Sequence, residues 1–263
     1  MKAVRLGLAH GALEIKQFLR TKEAVVFTML FPVILIVIFG SVFKDTIAPG
    51  VTFSQYFVTG MLASGLLVTG FQSLAIQIPI ERDRGVLKRL RGTPMPRSAY
   101  FAGKVLMVLA IGAAETAILL GVAVALYGVT LPSEPARWFT FGWVSLLGIT
   151  ACTLCGIAFS SVARTGRSAP AIVTPVALVL QFTSGVFFVF TNLPSWMQGF
   201  ASIFPLKWMC QGMRSVFLPD SFAANEASHS WQLGTVALVL AAWCVGGLLL
   251  CLLTFRWTDR REG

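Results

Sequence analysis

Glu115 is the one carboxylate in a long apolar run, residues 101–127, where an ionised side chain is costly unless it is paired, protonated or reached by water. A carboxyl in that setting suits proton carriage or a polar position on a transport path; a structural hydrogen bond to a neighbouring helix is the competing reading. Gln72, Gln77 and Gln181 also fall inside apolar runs and are candidates for the same path, or for side-chain hydrogen bonds between helices. A second concentration of chemistry is ionic: residues 81–104, ERDRGVLKRLRGTPMPRSAYFAGK, hold seven Lys/Arg between two apolar runs. Glu81, Arg82, Asp83 and Arg84 suit a short charge-stabilised helix, Leu87 and Leu90 give it an apolar side, and Thr93-Pro94-Met95-Pro96 stops it. A rigid charged knob of this kind is fitted to contact a soluble partner.

Other chemistries find no support. A G-x-x-x-x-G-K-[ST] phosphate loop is absent, so ATP is not expected to be bound and hydrolysed by this chain. The only histidines are His10 and His229, which cannot make a multi-His metal site, and there is no G-x-S-x-G nucleophile turn. Cys152-Thr153-Leu154-Cys155 has the spacing of a metal or redox pair, but no second pair accompanies it and it lies in an apolar run, so it reads as small buried side chains. The net charge of +10 would suit nucleic acid, yet the charges sit in short segments beside apolar runs, which argues against that partner.

Those segments are held by a membrane framework. Of the 263 residues 56% are hydrophobic and 12% charged, with a mean hydropathy of +0.78, whereas soluble domains carry about 25% charged residues. About six runs reach the roughly 20 residues needed to cross a bilayer: 24–43 with Pro32 inside it, 54–80, 101–127, 138–161 with Gly142, Gly148 and Gly156 for close helix approach, 168–190 with Pro170 and Pro175, and 231–255. Residues 1–23 precede them, with Val4, Leu8, Ala12, Ile15 and Leu19 at three- and four-residue spacing among Arg5, Lys16 and Arg20, which predicts an amphipathic interface helix. The sequence thus divides into that helix, a six-span domain over 24–255 and a tail over 256–263. Between spans five and six, residues 191–231 carry Trp196, Phe200, Phe204, Trp208 and Phe217, and Pro205 divides them into two short helices that read as re-entrant or interface-lying. Of the 21 Lys/Arg, seventeen fall in the N-terminus, second loop, fourth loop and C-terminus and four on the other side. This places both termini in the cytoplasm and the 191–231 loop outside.

The six-span arrangement, Glu81-Arg82-Asp83-Arg84-Gly85-Val86-Leu87-Lys88-Arg89-Leu90 followed by Thr93-Pro94-Met95-Pro96, the Gly103-Lys104 entry to the third span, the aromatic segment after Gly185, and Phe204-Pro205-Leu206 before Lys207-Trp208 resemble the type-two permease family of ATP-binding-cassette exporters. The likeness covers essentially the whole chain and is greatest to stand-alone membrane subunits of the daunorubicin-resistance kind. It implies an all-α polytopic protein of the bacterial plasma membrane that works with a second permease chain and a pair of separate cytoplasmic ATP-binding-cassette ATPases. ATP and Mg would be held by those ATPases, and this chain would be non-catalytic and bind no cofactor. The resemblance makes Glu81, Arg82, Asp83, Arg84, Gly85, Leu87, Lys88, Arg89 and Leu90 the coupling helix that docks on the ATPase. It makes residues 1–23 the connecting helix, and Phe187, Phe188, Phe190, Trp196, Phe204, Pro205 and Trp208 candidates for an outer gate or interface. Membrane lipids are the remaining partner. The implied cargo is hydrophobic or amphipathic, such as a drug, lipid, glycolipid or polysaccharide. An ion-gradient-driven secondary transporter is the alternative, ahead of a membrane enzyme or an assembly scaffold.

Overall fold

Backbone amides inside hydrocarbon must be bonded within their own segment, so long apolar runs are driven into helices. The computed structural model, which describes residues 2–43, 45–92 and 96–254, shows that outcome throughout. The expected tail over 256–263 and the Thr93-Pro94-Met95 stop lie outside the described residues. Helix α1 spans Lys2–Arg20, α2 Lys22–Val42, α3 Phe53–Asp83, α4 Val86–Arg91, α5 Arg97–Tyr127, α6 Pro135–Phe159, α7 Ala169–Thr183, α8 Ser195–Ile203, α9 Pro205–Phe217 and α10 Leu233–Thr254. Among the described residues, α2, α3, α5, α6 and α10 are long and apolar enough to cross a membrane. The chain is therefore a polytopic, almost wholly helical membrane protein.

The run over 168–190, expected as one span, is helical only over Ala169–Thr183. Gly185 adopts φ 78°, a left-handed turn that ends the helix, and Val186 folds back against Gly60 of α3, where a Cβ would lie 2.9 Å from the Val186 Cα. The loop after α2 forms a short hairpin of β1 Thr46–Ala48 and β2 Val51–Thr52 around Pro49-Gly50, with Gly50 at φ 77°. Thr52 then caps α3 reciprocally: its Oγ1 accepts from the Gln55 N–H at 3.3 Å, and its own N–H donates to Gln55 Oε1 at 3.1 Å.

The core is α3. From Ser54 to Leu67 every residue but Gln55 is buried, and α6 packs on it where Gly70 meets Cys152 and Gly156 meets the Phe71 carbonyl. A π-turn over Val68–Gln72 interrupts α3, and a second, Val26–Leu30, precedes Pro32 in α2, absorbing the hydrogen bond that proline cannot donate. Helix α10 lies along α6: Cys244 Sγ donates to the Leu147 carbonyl at 3.4 Å, Cys251 Sγ to Leu154 at 2.9 Å and Thr254 Oγ1 to Ala158 at 3.4 Å.

The two helices after α7, expected to be re-entrant or interface-lying, sit in different surroundings. Helix α8 is half-exposed, with Trp196 at 69%, as an interface-lying element should be. Helix α9 is not interfacial, because all thirteen of its residues are buried between α3, α6 and α10. Its polar side chains find partners inside: Lys207 Nζ donates to Gln211 Oε1 at 2.6 Å, and Gln211 Nε2 donates to the Trp231 carbonyl at 2.8 Å.

Candidate functional site

The last two turns of α3 gather most of the buried ionic chemistry. Glu81 points inward, accepting from Tyr100 Oη at 2.9 Å and pairing with Lys104 Nζ, both on α5. The same ammonium reaches Glu14 Oε2 of α1 at 3.0 Å, and Lys104 has no exposed surface. Gln77 Nε2 donates to Glu14 Oε2 at 3.2 Å, and His10 Nε2 stands 3.4 Å from Glu14 Oε1. Burial holds the His10 imidazole below its usual range; Glu14 opposes that shift and Lys104 reinforces it, so at pH 7 the ring is neutral.

Helix α1 reaches these groups because small residues meet at its crossing with α5. A Cβ on Gly7 would stand 3.0 Å from the Ala102 Cβ, one on Gly11 2.7 Å from Leu106, and one on Gly103 3.1 Å from the Gly11 nitrogen. Of the apolar stripe read from the sequence, Ile15 packs against the core, but the face that packs most closely on the protein is a different one. Leu8 and Leu19 are exposed, and Gly7, Gly11 and Glu14 are buried instead. A glycine face on the protein, leucines at its flanks and Arg5, Lys16 and Arg20 exposed suit a helix lying at a membrane interface.

The next residues grip another loop. Arg82 Nη2 donates to the Ser160 carbonyl at 3.1 Å and the Ala163 carbonyl at 3.0 Å, and Asp83 Oδ2 accepts from the Gly166 N–H at 2.6 Å. Gly166 sits so close to α3 that a Cβ would lie 2.7 Å from the Ile80 Cα. The four charged residues Glu81 to Arg84 therefore end α3 instead of starting the short helix, because Gly85 at φ 69° separates them from α4. Arg89 Nη2 donates back to the Arg84 carbonyl at 3.1 Å. Leu87 is buried under α4, Leu90 is half-buried, and Arg84, Lys88 and Arg89 face outward.

Among the described residues, three of the polar candidates inside the spans make hydrogen bonds to different helices. Glu115 Oε2 accepts from Thr69 Oγ1 at 2.7 Å, while Oε1 has no hydrogen-bond partner among the described residues and lies against Gly65, where a Cβ would be 2.6 Å away. Gln72 Nε2 donates to Thr174 Oγ1 of α7 at 3.4 Å, Gln77 serves Glu14, and Gln181 is buried on α7. Glu115→Gln keeps an oxygen for Thr69, so its unfolding free energy in detergent is expected to match the parent's within about 1 kcal/mol.

At the opposite end of α3, Arg214 of α9 is fully buried and forks onto Glu226, with Nη2 to Oε2 at 3.1 Å, while its guanidinium stands 5.0 Å from the Tyr56 ring centroid. Tyr56 Oη accepts the Phe190 N–H at 3.0 Å. Of the outer-gate or interface candidates at this end, Phe187, Phe190, Pro205 and Trp208 are buried, Phe204 is half-buried and stacks on Trp243, and Phe188 and Trp196 are exposed. Phe188 helps to line an open apolar pocket of about 420 Å³, with Phe43, Ile47, Phe53 and Leu193.

Glu14, Tyr100, Lys104, Arg214 and Glu226 were not picked out by sequence reasoning. A signal existed for Lys104, a cation one turn inside an apolar run, which needs a buried counter-charge.

Residues 10–218, a stretch that takes in the ion cluster, α4 and α9, match the model of a family described as ABC-2 type transporter. The chain is also similar to the inner membrane transport permease YadH of Escherichia coli strain K12, at 25% identity over 250 residues, covering 91% of this chain and 90% of the relative. Proteins of the same description from Escherichia coli O157:H7 and Shigella flexneri match equally well. The family match spans well over half of the sequence and every element from α2 to α9, and the chain belongs to the ABC-2 type transporter family.

Proposed function

We propose that this chain is the membrane permease of an ATP-driven exporter and that α4 receives force from a separate ATP-binding-cassette ATPase. The observation that carries this reading is the mounting of α4. Its outward Lys88 and Arg89, with Arg84 just before it, stand on a root held at Glu81 by Lys104 and at Arg82 and Asp83 by the 160–168 turn. A solvated anchor needs no such fixing, whereas a contact that passes force must not fold away under load. Family membership and relatives that are transport permeases of an inner membrane support the assignment.

The remaining parts follow from the same reading. The excess of Lys and Arg puts α4 and both termini in the cytoplasm of a bacterial plasma membrane. Helix α7, with the non-helical 184–189 stretch, serves as a short sixth span, and the aromatic end around Phe187 and Phe190 faces outward. ATP and Mg sit in a pair of partner ATPases, a second permease chain completes the path, and the cargo is hydrophobic or amphipathic.

The test is to replace residues 81–91 with an unrelated charged linker and to reconstitute the complex. Permease-stimulated ATP hydrolysis and cargo movement are expected to fall at least about tenfold, the scale on which broken buried pairs act. Undiminished transport would sink the reading, as would transport driven by an ion gradient in vesicles that lack the ATPase.

A further inference from the structure

We propose that Lys104 is a positioning residue that joins the root of α4 to α1, so that a displacement of α4 carries α1, α3 and α5 together. This rests on the reading of α4 above. One fully buried ammonium serves two carboxylates from two different helices, Glu81 of α3 and Glu14 of α1, and it belongs to a third, α5. The carboxylates have further donors of their own, Tyr100 Oη for Glu81 and Gln77 Nε2 for Glu14, so each is fixed in direction as well as paired. Lys104 also directly follows Gly103, where the α1 and α5 backbones approach most closely. The ammonium therefore acts at a contact that has almost no slack.

A merely stabilising ion pair would not need this arrangement. Buried pairs are poor stabilisers compared with apolar packing, and their best-attested use is to fix register. Here the register fixed is that of three helices at the membrane surface. Without the ammonium, Glu14 and Glu81 become two uncompensated buried carboxylates facing one site, and they are driven apart. Helix α1 then keeps its glycine contact with α5 but loses its tie to the α3 end.

The experiment places spin labels at Lys16→Cys on α1 and Arg164→Cys on the turn gripped by Arg82 and Asp83, both exposed positions. The five native cysteines are replaced by alanine, and the chain is held in lipid nanodiscs. The parent should give one narrow distance, and Lys104→Arg should preserve it. Lys104→Met should broaden it by about twofold or more, as expected for a broken buried pair. Glu14→Gln, which retains the Gln77 contact and the Lys104–Glu81 pair, should broaden it without loss of fold and serves if Lys104→Met does not assemble. In the complete complex, both variants should lower permease-stimulated ATP hydrolysis by about tenfold while Lys104→Arg restores it, a contrast that general destabilisation would not produce. A narrow distance in both variants overturns the proposal. A broad distance with undiminished hydrolysis overturns it as well, because α1 would then be joined without transmitting anything. Failure of the 81–91 replacement alone removes the ATPase reading and leaves the distance result standing, so the two failures are distinguishable.

Discussion

Arg214→Met is expected to lower the thermal midpoint of the detergent-solubilised chain by roughly 10 °C or more, because it strands Glu226 as an unpaired charge with almost no exposed surface. Breaking such a pair from one side costs about 3–5 kcal/mol, far more than the pair contributes against an apolar substitute. The geometry makes the loss large. The guanidinium forks onto both carboxylate oxygens and packs over Tyr56, whose hydroxyl in turn holds the Phe190 amide. Glu226→Gln should be milder, since its amide oxygen still accepts from Arg214. Arg214→Lys should fall between them, because an ammonium cannot reproduce the fork. A midpoint for Arg214→Met within a few degrees of the parent would refute this account of the α9 end.

Gly156→Ala should be nearly as damaging, although it adds one methyl. A Cβ at this position would stand 2.6 Å from the Phe71 carbonyl oxygen, 2.8 Å from the Gly70 carbonyl oxygen and 2.9 Å from the Phe71 Cα. These are backbone atoms of the central helix, so no rotamer change can make room, and overpacking of this kind costs about 1–3 kcal/mol or more. Displacing α6 also moves the 160–168 turn that Arg82 and Asp83 hold, so function should fall further than stability does. Gly121→Ala on α5 is the control, because nothing lies within 4 Å of its added methyl. Loss of the relatively poor helix former there should leave stability unchanged or raise it by up to about 1 kcal/mol. Equal midpoints for the two variants would contradict the close contact of α3 with α6.

Hydropathy made the long helices legible. The runs at 24–43, 54–80, 101–127 and 138–161 fall within a few residues of α2, α3, α5 and α6, because a bilayer demands length and apolarity and both are written along the chain. That a short helix carries Leu87 was also readable, but its start at Val86 was not, because it is set by the left-handed backbone of Gly85. The inward turn of Glu81 was not. It depends on Lys104, a residue 23 positions away that becomes its neighbour only when α3 and α5 lie antiparallel. The burial of α9 was hidden for a similar reason. Lys207, Gln211 and Arg214 look like surface residues until Trp231 and Glu226 return to meet them. The end of α7 at Thr183 was obscured because the residues beyond it stay apolar, and only the backbone of Gly185 records the break.

Polar contacts join α3 to α5 at two levels, Thr69 with Glu115 and Glu81 with Tyr100 and Lys104, about twelve residues apart on α3, which is roughly 18 Å along a helix. A single contact of this kind is a pin about which two antiparallel helices can scissor. Two pins so far apart forbid both scissoring and sliding, and the pair becomes a beam whose one remaining freedom is to tilt as a whole. If α4 receives force as proposed above, a small push at the charged end of a beam about 45 Å long would reappear as a sway at the aromatic end, where Tyr56 and Phe57 of α3 meet Phe187 and Phe190. Glu115, on this account, earns its place in the apolar interior as the upper pin.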